Sequence, residues 1–137
     1  MDKEALIKQL QKHEGLRLKP YRCSAGKLSI GYGRNLDDVG ISKPEALMLL
    51  SNDVHKCIKQ VKENIHCFNK LNDVRQNVLI NMCFNLGIYG LLGFKRFLKA
   101  LEEEDWVLAK TEMLDSVWAI QVGKRAIELS VQILLGE

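Results

Sequence analysis

Apolar positions in the first fourteen residues recur at helical spacing. Leu6, Ile7 and Leu10 share a face, Asp2 stands where an N-cap belongs, and Gly15 follows His13 and Glu14 as a stop signal. The period then changes. From Leu16 to Tyr21 apolar and basic residues alternate, Cys23-Ser24-Ala25-Gly26-Lys27 has the composition of a turn, and alternation resumes over Leu28-Ser29-Ile30-Gly31-Tyr32. This predicts a small antiparallel hairpin. Pro20 assigns the first strand to an edge, because proline has no N–H to give to a ladder. With a period of two, Leu28 and Ile30 fall on one face and Ser29 on the other, so the hydroxyl is expected to point into a cleft while its neighbours anchor the sheet.

Helical spacing returns after the loop 33–42. Ser42 with Glu45 three residues on has the form of a capping box, and Pro44 sits in the first turn. Leu47, Leu50, Val54, Ile58, Val61 and Ile65 follow at steps of three and four, which predicts one helix of about twenty residues, roughly 30 Å long. Asn72 caps the next helix, whose stretch 78–86 is apolar on nearly every side and is expected to lie in a core and end at Gly87. Within it Asn81 needs hydrogen-bond partners, and Asn85 is expected to face a cleft. Phe94, Phe97, Leu98 and Leu101 mark a further helix, 106–114 another, and Ile127, Val131 and Leu134 a last one after Gly123-Lys124. The acidic run Glu102-Glu103-Glu104-Asp105 reads as a solvated end. The elements give an α+β chain, mostly helical.

A length of 137 residues, 47% hydrophobic and 27% charged, suits one globular domain that buries a core without staples. No apolar run reaches transmembrane length, and Met1-Asp2-Lys3-Glu4 leads into mixed charge where a signal peptide would turn apolar. Cys23, Cys57, Cys67 and Cys83 are too few and too irregularly spaced for a disulfide framework and read as reduced thiols. His55, Cys57, His66 and Cys67 lack the spacing of a structural zinc site, so zinc is not expected there. The net charge of +3 is uneven: 12 basic and 8 acidic residues up to His66, then 8 basic and 9 acidic. That bias is mild, and with no basic stripe or binding motif nucleic acid is not an expected partner.

The chemistry concentrates early. Glu14 at a helix end faces the negative pole of the helix dipole, a setting that suits a proton-carrying acid. Cys23 and Ser29 follow on the hairpin. An acid, a thiol and a hydroxyl converging on one cleft suit acid-assisted cleavage of a glycosidic bond.

Glu14, eight residues, Cys23, five residues, Ser29, then Ile30-Gly31-Tyr32-Gly33 resembles the pattern of the phage lysozyme (endolysin) family, in which Glu, Asp or Cys, and Thr stand at that spacing before an Ile-Gly-x-Gly run. The likeness continues through Val74-Arg75, Leu79-Ile80-Asn81-Met82, Phe84-Asn85-Leu86-Gly87, and Trp118 with Gln121-Val122-Gly123-Lys124-Arg125-Ala126. It implies a lysozyme-like fold within one domain: an N-terminal lobe with a small antiparallel sheet over about 1–42, a connecting helix over about 43–64 and a helical C-terminal lobe over about 65–137.

The resemblance further implies a muramidase that cleaves the β-1,4 bond between N-acetylmuramic acid and N-acetylglucosamine, inverting and without cofactor. Glu14 would be the general acid and Ser29, in the threonine's place, would hold the attacking water. Cys23 takes the aspartate's place, where base, nucleophile and passive packing stay open. Tyr32, Asn35, Phe84, Asn85 and Arg125 would meet the glycan, Arg125 serving equally well as a structural ion-pair partner. Arg34 is expected to pair with Asp53. The chain lacks the basic Arg-Thr-Gly segment common near the family's C-terminus, ending instead Leu134-Leu135-Gly136-Glu137. The expected partner is peptidoglycan and the expected state a monomer, made in the host cytoplasm and acting on the wall in the periplasm after release. Two alternatives stand beside hydrolysis: a lytic transglycosylase that needs Glu14 alone, and a wall-binding relative with weakened catalysis.

Overall fold

A computed structural model describes all 137 residues, 67% of them helical, as seven α-helices and one three-stranded antiparallel sheet. The fold is α+β, and the chain divides into two compact units, Met1–Met48 and Leu49–Glu137.

In the first unit, helix α1 (Lys3–Glu14) begins where the Asp2 carboxylate accepts the Ala5 N–H at 3.0 Å and ends at Gly15, whose positive φ of 71° turns the chain out. Strands β1 (Arg17–Arg22), β2 (Leu28–Gly31) and β3 (Arg34–Asn35) follow in the order β1-β2-β3. Pro20 does lie on an edge strand, and the β1–β2 register slips between Arg17 and Tyr21, the stretch that contains it. β3 was not legible as a strand, because two residues carry no alternation to read.

The sheet reverses the burial expected of β2. Ser29 is 3% exposed, whereas Leu28 and Ile30 are only half-buried. Its cross-strand partners are Tyr21 and Asn35, both larger, so the small serine is covered by its neighbours on that face. The hydroxyl donates to the Lys27 carbonyl at 3.2 Å, which satisfies it locally.

Helix α2 (Lys43–Asn64) starts on the predicted capping box, with the Ser42 Oγ accepting the Glu45 N–H at 3.3 Å and Glu45 Oε1 accepting the Ser42 N–H at 2.8 Å. Arg34 engages that same carboxylate with both guanidinium nitrogens, each at 2.9 Å, and also donates to the Gly40 carbonyl. The expected Arg34–Asp53 pair is thereby corrected. Glu45 is already oriented by the cap and offers two oxygens in the plane of the fork, and Asp53 takes part in none of the three ion pairs.

The second unit takes in the rest of α2 and five further helices. Helix α3 (Asp73–Leu92) starts at Asn72, whose side chain accepts the Arg75 N–H, and the end expected at Gly87 is instead a break, φ 75° and ψ 164°, after which the helix resumes. α4 (Lys95–Glu102), α5 (Trp106–Leu114), α6 (Val117–Val122) and α7 (Lys124–Leu135) complete it. α6 escaped the periodicity because six residues make fewer than two turns. Val78, Leu79, Met82, Leu91, Phe97, Leu101, Met113 and Ile133 form a fully buried core, each large apolar side chain contributing about 2 kcal/mol. Arg75 fastens α7 by donating to the Ile133 and Leu134 carbonyls while its guanidinium lies 3.7 Å over the Trp106 ring. No single helix is long and apolar enough to cross a membrane.

The Arg34 fork, with the Ser42 N–H behind it, lowers the Glu45 carboxyl from 4.5 to about 2. A depressed folded-state value stabilises the fold above the ordinary value and loses that contribution as pH falls toward about 2. Glu45→Gln is therefore expected to flatten this part of the acid-unfolding profile, with the wild-type advantage present near neutrality and shrinking across that window. Thermal unfolding followed by circular dichroism measures it, and parallel profiles for the two proteins would contradict the assignment.

Candidate functional site

Glu14 is the last residue of α1 and is solvent-exposed. Its carboxyl lies against Gly33, in the turn between β2 and β3: a Cβ placed on that glycine would stand 2.5 Å from Glu14 Oε2. The helix end and the sheet turn thus meet at the carboxylate.

Cys23 sits in the β1–β2 turn, which is closed by its own N–H donating to the Lys27 carbonyl at 2.9 Å and by the Gly26 N–H donating to its carbonyl at 2.8 Å. That closure gathers donors around the half-buried sulfur. The Lys27 backbone contact lowers its pKa most, the Ala25 backbone adds to this, partial burial opposes, and the Ser29 hydroxyl lowers it further. The turn therefore brings two of the predicted residues, Cys23 and Ser29, side by side. Tyr32 is exposed between Gly31 and Gly33. Asn35 is engaged in its own loop, accepting the Asp38 N–H at 3.0 Å and donating to the Asp38 carboxylate at 2.9 Å.

In the second unit a groove of about 390 Å³ is lined by Leu50, Val54, Asn77, Ile80, Asn81, Phe84 and Arg125. Phe84 and Arg125 thus share one surface, an apolar floor with a guanidinium and amides at its rim. Arg125 donates from Nε and Nη2 to Asn81 Oδ1 at 2.9 and 2.7 Å, which fixes the plane of the guanidinium; Asn81 is exposed, so the partner it was expected to need inside a core is not required by burial. Asn85 does not line this groove; its Oδ1 accepts the Trp118 indole N–H at 2.7 Å, leaving its Nδ2 to donate elsewhere. Sequence reasoning missed Asn81 as the residue that orients Arg125 and Gly33 as the residue beneath Glu14. The signal for Gly33 was present in the Gly31-Tyr32-Gly33 run, but a glycine's role depends on what stands over it.

The phage lysozyme family model matches residues 11–130, a stretch that holds every site residue named above. Among known proteins the chain is similar to probable T4-type lysozyme 1 of Dictyostelium discoideum, 28% identical with 88% of each chain covered. It is also similar to an endolysin of Acyrthosiphon pisum secondary endosymbiont phage 1, 29% identical over 85% of this chain and 80% of the endolysin. A third relative is the pre-baseplate central spike protein Gp5 of Enterobacteria phage T4, 27% identical over 96% of this chain but only 28% of the spike protein.

All four cysteines are free, and their environments divide them. Burial raises the Cys67 thiol, and burial together with the neighbouring Cys57 thiol raises Cys83 to about 12, opposite in direction to Cys23. A disulfide reagent at neutral pH is expected to modify one thiol rapidly in the native protein and the remaining three only on unfolding, with the rapid phase absent in Cys23→Ser. A rapid phase that survives in Cys23→Ser would contradict this.

Proposed function

The chain belongs to the phage lysozyme family, and on that premise we propose that it is a muramidase: it hydrolyses the β-1,4 bond between N-acetylmuramic acid and N-acetylglucosamine in peptidoglycan. The observation that carries this reading is the Glu14 carboxyl, exposed at the end of α1 and seated on the Gly33 turn, where a glycan oxygen can approach it from solvent. Glu14 donates its proton to the bridging oxygen as the bond to the anomeric carbon breaks. A water attacks the opposite face of the sugar, which inverts the configuration.

Cys23 takes the role of base in this scheme. Its lowered pKa gives it more thiolate than an ordinary cysteine, able to accept the proton that the attacking water must lose. Ser29 is too buried to stand free in a cleft, and with its hydroxyl given to the Lys27 carbonyl it supports the turn that carries Cys23. Tyr32 in the first unit and Phe84 in the second each offer an exposed aromatic face for a sugar ring, and Arg125 beside Phe84 offers a guanidinium for hydroxyl and acetamido groups; Asn35 and Asn85 are proposed as glycan contacts on the resemblance alone. The names of its relatives, lysozyme and endolysin, support action on the bacterial wall, and we propose that it reaches the wall after release from the cell that makes it.

The burial of Ser29 favours one second reading, a lytic transglycosylase in which a sugar hydroxyl attacks intramolecularly and no residue need hold water. Digestion of purified sacculi separates the two. Hydrolysis is expected to release reducing ends, and Glu14→Gln to lower the rate by about 10²-fold or more while its circular dichroism stays native. Anhydro-muramic ends would replace hydrolysis by transglycosylation, and wild-type protein that binds sacculi without releasing any ends would leave a wall-binding relative.

A further inference from the structure

We infer that Gly33 is a positioning residue for Glu14, its missing side chain being what allows the acid to lie against the β2–β3 turn. The inference rests on the proposed acid role of Glu14 for its catalytic consequence, though not for its geometry.

Two glycines flank Tyr32, and the backbone asks for glycine at both: φ is +69° at Gly31 and +72° at Gly33, a region that side chains enter only at a cost. Their surroundings differ. A Cβ on Gly31 would meet nothing within 4 Å. On Gly33 it would meet Glu14 three times over, Oε2 at 2.5 Å, Cδ at 2.9 Å and Cγ at 3.3 Å. Every one of these atoms belongs to the outer part of a single flexible side chain and none to backbone. An added methyl at 33 would therefore leave the turn no worse strained than the same change at 31, but it would push the carboxyl off its seat.

The atoms of Glu14 that meet Gly33 all lie beyond its Cβ, so the side-chain torsions are the first to yield to an added methyl. A shift of about 1 Å in a reacting group is enough to cost on the order of 10²-fold in rate. Gly31 serves as an internal control with the same backbone constraint and no such contact.

The experiment compares Gly33→Ala with Gly31→Ala, alone and in a Glu14→Ala background, by kcat and KM on peptidoglycan and by the ¹³C carboxyl resonance of Glu14, assigned through its loss in Glu14→Gln. Both alanine variants are expected to lower the melting temperature similarly. Gly33→Ala should lower kcat by about 10²-fold with little change in KM and should move the Glu14 resonance, while Gly31→Ala leaves the resonance in place and kcat within about threefold. In Glu14→Ala, which has none of the atoms that meet Gly33, adding Gly33→Ala should cost no more than about threefold of the remaining rate, the non-additivity expected of two residues in contact.

Equal losses of kcat in the two alanine variants, with the Glu14 resonance unmoved in both, would reduce Gly33 to a turn residue and overturn the inference. If Glu14→Gln remained fully active, the acid role would fall while the resonance comparison still decided whether Gly33 seats the carboxyl. Asparagine at 31 and 33, which tolerates positive φ better than alanine, carries the same comparison should Gly33→Ala fail to fold.

Discussion

The contact of the Glu14 carboxyl with the Gly33 turn is the constraint on which the site depends. Asp2 sets where α1 begins and Gly15 where it ends, which places Glu14 at the last position of the helix. The turn that receives this carboxyl is fixed in its own right. β3 pairs back onto β2 immediately after Gly33, and the loop beyond is tied to the hairpin through Asp37, which accepts the Leu28 N–H, and Asp38, which pairs with Lys27. Arg34 then carries the order onward into the first turn of α2 through Glu45. A capped helix, a short sheet and one guanidinium fork thus order residues 2 to 45 by local bonds, with little buried apolar surface.

The second unit is organised in the opposite way, by burial. Its core side chains are sealed from solvent, and its polar groups are used where they close helix ends or orient one another, as Arg75 does for α7 and Asn81 for Arg125. The cysteines follow this division. Three pack as small apolar groups, and two of these, Cys67 and Cys83, are pushed toward the neutral thiol by loss of water, whereas Cys23 lies among backbone and hydroxyl donors that favour the thiolate. One residue type supplies packing in one unit and candidate chemistry in the other, and the difference comes from the donors around the sulfur.

Much of this was legible in the sequence wherever a local rule acts on adjacent residues. Asp2, the Ser42–Glu45 box and Asn72 announced three helix starts, and Pro20 announced an edge strand. α1, α2 and α7 showed their period, and α3 showed itself by an almost unbroken apolar run. What stayed hidden depends on size or on distant partners: β3 and α6 are shorter than the patterns that reveal strands and helices, and Gly87 reads as a stop although the chain can resume a helix beyond it. Alternation placed Ser29 on its own face correctly but could not tell that Tyr21 and Asn35 would cover it. Arg34 chose Glu45 because the cap had already oriented that carboxylate, a fact of geometry beyond the reach of spacing. For the candidate site, the spacing of Glu14, Cys23 and Ser29 was visible, and the adjacency of Cys23 with Ser29 and of Glu14 with Gly33 needed coordinates.

The central claim is that Glu14 hands a proton to the departing oxygen, and it is tested most directly by removing the need for that proton. Rates of wild type and Glu14→Gln would be measured on two glycosides of the same sugar, one with an alkyl leaving group and one with a dinitrophenyl group that departs as a stable anion. The account predicts a large deficit for Glu14→Gln on the alkyl glycoside and near-equality on the dinitrophenyl one. An equal deficit on both would contradict it, leaving the carboxyl with a role in binding or folding and none in proton donation.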